Sequence, residues 1–289
     1  MKDNFLICLI IKKLGNLEED NMKSLNIALT IAGTDPSGGA GVMADLKSFH
    51  ACGVYGMAAI TSIVAQNSLG VQHIHHLEPS WLEEQLESVY SDELPQALKT
   101  GMIPTPEMMD IVARYVKKQT IPYVIDPVMV AKSGDSLMEE SVRQSLKDVL
   151  LPLADIATPN IPEAEEITKM TIQTEADIKK AGHFFLNEIG TKGVILKGGH
   201  LEGEACDYLF TKEDMHTFSS PRFNTLHTHG TGCTFSAVIT AELAKGKSVF
   251  DAVAKAKKFI SLAIKETPEI GQGRGPVNHF AYQQEKGWD

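Results

Sequence analysis

His227–Ala237 reads HTHGTGCTFSA and sets a thiol at the start of an apolar helical run. Gly230 and Gly232 flank Thr231, and Cys233 follows. Glycine lets the backbone approach another group closely. The first turn of a helix leaves its N–H groups without intrahelical acceptors. Two glycines and two threonines pack poorly but suit a nest of N–H donors for an anion. A cysteine at such a mouth is either a buried inert thiol or a reactive one.

Three other segments carry candidate chemistry. Ala32–Asp45 reads AGTDPSGGAGVMAD, and Gly33 and Gly38 have the GxxxxG spacing of a phosphate loop. Gly39 and Ala40 stand where that loop needs Lys-Ser/Thr, so it is a different glycine-rich loop or a plain tight turn. In VIDPVMV, Asp126 closes an apolar strand just before a proline. Its carboxylate suits Mg²⁺ or a positive group, and equally a turn. In TPNIPEAE, Asn160 and Glu163 have Asn-x-x-Glu spacing at a helix start. That pair suits a hydrated Mg²⁺, and equally a helix cap, which the spacing alone favours.

The elements that must position these residues follow from periodicity. NIALTIAG is a strand ending in glycine, and GAGVMADLKSFHACG a helix with Val42, Leu46 and Phe49 on one face. YGMAAITSIVAQ predicts one long strand buried on both faces. SWLEEQLESVYSD predicts an amphipathic helix capped by Ser80 with Glu83. QALKTGMI, YVIDPVMV, DIATPN and GVILKGG predict further strands, separated by helical patterns. CDYLF and MHTFSS predict a small antiparallel pair, and two helices, the second capped by Ser248 and Asp251, close the body. Strands alternating with helices imply an α/β fold: a mostly parallel central sheet with helices on both faces.

The chain has 289 residues, 43% hydrophobic and 22% charged, with a net charge of −10. That size and composition fit one large α/β domain. The acidic balance argues against a nucleic-acid partner. Residues 1–24 are expected to form an extension outside the fold, with Met22 a candidate natural start. Their apolar stretch is too short for a membrane span. The domain is expected over 25–282, with a polar tail over 283–289. Cys8, Cys52, Cys206 and Cys233 include no CxxC pair, which points to a reducing cytoplasm rather than a zinc ribbon or disulfide scaffold. The run HIHH, His73–His76, has no zinc-site spacing and suits a loop or strand edge.

Taken in order, LTIAGTDPSGGAG, VAQNSLGV, KTGMI, VIDPVMVAKSG, TPNIPEAE, LKGGH, THGTGCTFSA and GPVNHFAY resemble the ribokinase-like superfamily. Within it they are similar to the bacterial hydroxymethylpyrimidine/phosphomethylpyrimidine kinases of thiamine biosynthesis. The resemblance runs from Leu25 to Tyr282, and Ile103 stands where leucine is more usual. It implies a cytoplasmic homodimer. The reaction implied moves the γ-phosphate of ATP, with Mg²⁺, to 4-amino-5-hydroxymethyl-2-methylpyrimidine and then phosphorylates the monophosphate. Gln66 would bond the polar edge of the aminopyrimidine, and Gly33, Ala40, Asp45, Val64 and Met102 would shape its pocket. Asp126 and Glu163 would act near the metal, with Asn160 beside them and Lys197 on the nucleotide side. Gly230, Thr231 and Gly232 would offer N–H groups to the phosphoryl. Cys233, its thiol lowered by the helix start, would be the base where many relatives carry aspartate. Two alternatives remain: a pyridoxal kinase on the same scaffold, and a catalytically silent ligand-binding protein.

Overall fold

In a computed structural model, residues 25–129, 139–198 and 204–285 are described. The proposed extension, the ends of the VIDPVMVAKSG and LKGGH motifs and the last four residues lie outside them. The strands are β1 (Ile27–Ala32), β2 (Tyr55–Ile60), β3 (Ser62–Asn67), β4 (Gly70–His76), β5 (Ala97–Thr100), β6 (Tyr123–Ile125), β7 (Ile156–Ala157), β8 (Gly193–Lys197), β9 (Ala205–Thr211) and β10 (Met215–Ser220). The helices are α1 (Gly41–Ala51), α2 (Pro79–Tyr90), α3 (Pro106–Lys117), α4 (Glu140–Ser145), α5 (Ile161–Thr168), α6 (Glu175–Phe184), α7 (Thr231–Ala244), α8 (Val249–Lys265) and α9 (Ala281–Glu285). α4 and α6 each run on into a π turn, over Leu146–Leu150 and Phe185–Ile189. Among the described residues no helix is long and apolar enough to cross a membrane.

Eight strands form one sheet in the order β10-β9-β8-β7-β6-β5-β1-β2. The six from β2 to β8 in that row are parallel, and β9 and β10 join antiparallel. Alternate side chains serve two cores. Leu29, Ile31, Tyr123, Ile125, Val194 and Leu196 pack toward α2–α6. Ala28, Val124, Ile195 and Leu209 pack toward α1, α7 and α8. α7 is sealed from Thr234 to Ala244, so its buried polar groups find internal partners. Ser236 Oγ donates to the Gly232 carbonyl (3.0 Å), and Thr240 Oγ1 to that of Ser236 (2.8 Å).

Four local expectations change. Tyr55–Gln66 is two strands, because the chain leaves the sheet at Thr61. There Thr61 Oγ1 donates to the Met102 carbonyl (2.8 Å), and the Leu77 N–H to the Thr61 carbonyl (3.0 Å). β2 then ends as the sheet's edge, while β3 pairs with β4 in a separate hairpin. α2 starts at Pro79, which supplies a preset φ for the first turn, so Glu78 rather than Ser80 is its cap. β9 and β10 extend the main sheet rather than forming a satellite pair. α9 continues to Glu285, past the boundary drawn at 282, and Glu285 pairs with Lys258 of α8 (2.8 Å). His73–His76 lie exposed on β4, and no metal-type cluster of three or more such side chains occurs among the described residues.

The sheet order reverses at β1, with β2 on one side and β5 on the other. Open α/β sheets bind ligands in the crevice outside the carboxyl ends of the strands at such a point. Gly33, Gly101, Asp126 and Thr158 each follow directly on one of these ends, and Lys197 closes another.

Candidate active site

A cavity of about 460 Å³ opens along those strand ends, a volume within the range of small-molecule sites. Every candidate residue named from the sequence lines it except Asp45. Asp45 lies beneath the floor, fully buried, where it accepts bonds from Thr30 Oγ1 (2.6 Å) and Lys99 Nζ (2.7 Å). It therefore touches no substrate, and its contribution passes through Lys99, which does line the cavity.

The glycines hold two loops in register. Gly230 caps α7 with φ +76°, and a Cβ there would lie 1.6 Å from the Gly39 carbonyl oxygen. Only glycine permits that conformation and that contact. The α7 start is thus pressed against the Gly33–Gly41 loop. Asp35, fully buried, ties the two together. It accepts the Ser37 and Ala40 N–H groups (2.9 and 2.7 Å) and bonds His229 Nε2 (2.7 Å). Burial raises its carboxyl, but His229 and Ser37 outweigh this and leave it below the usual value. Of the three expected N–H donors, Thr231 is already engaged with the Thr228 carbonyl (3.3 Å). The N–H groups of Gly230 and Gly232, and that of Cys233 as well, make no bond of this kind among the described residues and open the nest.

Opposite the nest stand Lys197, Asp126 and Glu163. Lys197 Nζ donates to Asp126 Oδ1 at 3.1 Å, and Thr158 Oγ1 shares that oxygen at 3.2 Å. Asp126 Oδ2 has no hydrogen-bond partner among the described residues. It faces Gly232, whose Cβ, if present, would lie 3.2 Å from it and 3.3 Å from Lys197 Nζ. Asn160 and Glu163 do form the capping box of α5: the Glu163 N–H donates to Asn160 Oδ1 and the Asn160 N–H to Glu163 Oε2, both at 2.9 Å. They also line the cavity, so cap and site coincide. Burial pushes the Glu163 carboxyl up, with Lys197 opposing and Asp126 reinforcing the rise. Burial works against the Lys197 charge, but Asp126 and Glu163 hold its ammonium above the ordinary lysine range. Two carboxyl groups beside one lysine make an oxygen-lined mouth, a donor set that fits Mg²⁺.

At the other end, the hairpin carries substrate-facing side chains. Ser62, Val64 and Gln66 share the inward face of β3, and a bulge between Ala65 and Gln66 shifts the register there. Bulges re-aim side chains, and Gln66 lines the cavity beside Val71 and Ile74 of β4. The Val64 N–H donates to Thr34 Oγ1 (2.9 Å), which fixes the hairpin over the first loop. Met102 fills the space a Cβ on Gly33 would need, 2.8 Å away.

Cys233 sits between two helix starts. It follows the nest of α7, and the Gly41 N–H at the start of α1 works to lower its thiol. The expected lowering does not hold, because burial pushes the thiol up to about 11 against the pull of Lys99. At rest the site holds a neutral thiol.

Lys99, Asp35 and His229 were not assigned from the sequence. The signals were present: Lys99 interrupts an apolar strand, and Asp45 lies on the apolar face of α1. A charge on each of two buried faces implies a pair.

A parallel sheet with its cleft at the switch point, a glycine-started helix aimed into it and a lysine–carboxylate mouth opposite define a ribokinase-like phosphotransferase. Residues 35–278 match the phosphomethylpyrimidine kinase family. The chain belongs to that family. It is 66% identical over 266 residues to a hydroxymethylpyrimidine/phosphomethylpyrimidine kinase of Staphylococcus aureus, covering 91% of this chain and 96% of that one. Bacillus subtilis pyridoxal kinase, in its ADP complex, superimposes with a TM-score of 0.83 at 40% identity, over 90% of this chain and 99% of that one. Phosphomethylpyrimidine kinase of Clostridium difficile gives 0.74 at 43% identity, over 83% and 99%.

Proposed function

We propose that this chain uses ATP to phosphorylate 4-amino-5-hydroxymethyl-2-methylpyrimidine and then its monophosphate. One observation carries the reading: the N–H nest of α7, the Lys197–Asp126–Glu163 mouth and the Gln66 hairpin all face one cavity. Gln66 offers both a donor and an acceptor to the aminopyrimidine edge. Gly33, Ala40, Val64 and Met102 enclose the ring. Lys197, with Asn160 beside it, holds the nucleotide's phosphates.

Asp126 and Glu163 would hold Mg²⁺, which when bound neutralises phosphate charge. The Gly232 and Cys233 N–H groups meet the phosphoryl oxygens as charge spreads over them. Phosphoryl transfer depends mainly on positioning and charge stabilisation. Cys233 receives the proton of the attacking hydroxyl. Because the resting thiol is neutral, it first loses its own proton to cavity water, and the positive groups around it set how readily it does so.

The protein works in the cytoplasm as a homodimer on this reading. Its active-site thiol needs a reducing compartment, and the β2 edge with exposed Tyr55, together with Ile63 on the outer face of the β3–β4 hairpin, offers a face for a second copy. Light scattering on the purified protein tests the dimer. For the reaction, ATP and Mg²⁺ are supplied with the pyrimidine alcohol and, separately, with pyridoxal, and the products are weighed by mass spectrometry. The reading expects mono- and diphosphates of the pyrimidine, and faster turnover of it than of pyridoxal. A preference for pyridoxal overturns the substrate, and no phosphorylation of either overturns the reaction.

A further inference from the structure

Asp207 of β9 and Lys257 of α8 also line the cavity, and neither belongs to the nest, the mouth or the hairpin. Each is 7% exposed. Lys257 Nζ donates to Asp207 Oδ2 at 2.8 Å and to the carbonyl of Ala205, the first residue of β9, at 2.6 Å. Asp207 Oδ1 turns the other way and accepts the Gly198 N–H at 3.1 Å. Gly198 follows directly on Lys197, and a Cβ there would overlap the Cys206 carbonyl oxygen, so the backbone behind Lys197 is pressed on β9. One lysine–carboxylate pair thus grips the chain where it leaves β8 and where it enters β9.

The Lys197 N–H is fixed separately, by the Pro159 carbonyl at 2.9 Å. With the Gly198 N–H held by Asp207, both peptide units around the Lys197 Cα are anchored, which sets the direction of its side chain. Lys197 and Asp207 are directly opposed in the antiparallel β8–β9 register, so their side chains share one face of the sheet. Asp126, Lys197, Asp207 and Lys257 therefore alternate in sign along the cavity, with 3.1 Å across the first pair and 2.8 Å across the last. Packing gives no reason for the Asp207–Lys257 charges, because a buried ion pair is often no more stable than well-packed apolar side chains of similar volume.

We infer that Asp207, held by Lys257, is a positioning residue for Lys197: its carboxylate fixes the Gly198 peptide and so aims the Lys197 ammonium across the cavity at the nucleotide's phosphates. This rests on the kinase reading, which gives Lys197 that task. A misplacement of about 1 Å in a group that holds a reactant can cost about 10²-fold in rate.

The test replaces the pair together, Asp207→Leu with Lys257→Met, which strands neither ion. Steady-state kinetics and thermal melts are run on this variant, on Lys197→Met and on the two combined. The pair variant should keep a Tm near wild type and the wild-type KM for the acceptor, since the hairpin is untouched, while kcat falls about 10²-fold. Beside Lys197→Met the same replacement should cost no more than about twofold, because the residue it serves is already gone. A merely structural pair predicts kcat retained wherever Tm is retained, or a loss that multiplies with that of Lys197→Met, and either result overturns the inference. Should the pair variant fail to fold, the same cycle with Asp207→Asn decides. A loss beyond about threefold that disappears beside Lys197→Met supports the clamp, and no loss, or one that persists there, overturns it. The rates are read on whichever of the pyrimidine alcohol and pyridoxal the wild-type protein phosphorylates, so a wrong substrate leaves the test intact. Phosphorylation of neither refutes the kinase reading in the wild type, before any variant is compared, and the inference falls with it.

Discussion

His279 sits behind the α7 start, 6% exposed, with Nε2 3.0 Å from Thr234 Oγ1. Burial, reinforced by the nearby Lys47, lowers its imidazole from 6.5 to about 4. The folded protein therefore keeps it neutral where the unfolded chain would protonate it. Between those two values the unfolded state binds more protons, so stability rises with pH across the window and is lost as pH falls through it. The full difference is worth about 3 kcal/mol at 1.36 kcal/mol per unit. For a domain of this size that is a Tm change of roughly 10 °C. His279→Gln keeps a side chain able to bond Thr234 but carries no proton in this range. Thermal melts of both proteins at half-unit steps from pH 7.5 to 4 isolate the effect, because every other titrating group is shared. The variant should start lower at neutral pH through altered packing and lose less on acidification. The gap should close by about 3 kcal/mol, completed near pH 4. Parallel curves for the two proteins would refute the reasoning.

Three other substitutions probe the site. Gly230→Ala forces a Cβ against the Gly39 carbonyl at positive φ, and urea titration should show a loss of at least about 2 kcal/mol together with lost turnover. Gln66→Met leaves the polar edge of an aminopyrimidine unpaired at about 1–3 kcal/mol, so kcat/KM for that substrate should fall about 10–100-fold. Pyridoxal phosphorylation should fall less, and equal losses would remove Gln66 from substrate choice. Lys197→Met removes the ammonium facing Asp126, and steady-state kinetics should show kcat down about 10²–10³-fold with Tm little changed. Unaltered kcat would place the phosphates elsewhere.

Most of the sheet was legible because β1, β5, β6 and β8 are short apolar runs followed directly by Gly or Asp. Part of the cavity lining was legible for the same reason, since Gly33, Asp126 and Lys197 stand at those endings. What was hidden is non-local. Nothing within Tyr55–Gln66 tells that Thr61 bonds Met102, 41 residues away, and so breaks an apolar run in two. β9 and β10 have the alternation of any hairpin, and only pairing to β8 makes them part of the main sheet. Asn160 and Glu163 suited a cap and a metal site alike; the cap is realised, and both residues also line the cavity. The direction of the Cys233 shift was missed because a helix start acts locally, whereas burial is set by distant parts of the chain brought around the thiol.

The break at Thr61 also divides labour. On the proposed reading the groups that handle phosphate are anchored to the large sheet, α5 and α7, while Gln66, the side chain assigned to the polar edge of the acceptor, hangs on a two-stranded flap. That flap meets the rest through a few polar contacts, such as Val64 with Thr34 and the Arg274 N–H with the Ser68 carbonyl at 2.8 Å. Selection can therefore edit the flap residue by residue without retuning the engine beneath. A lineage built this way changes its diet more easily than its chemistry, and kinases with differently named substrates are then to be found on one chassis.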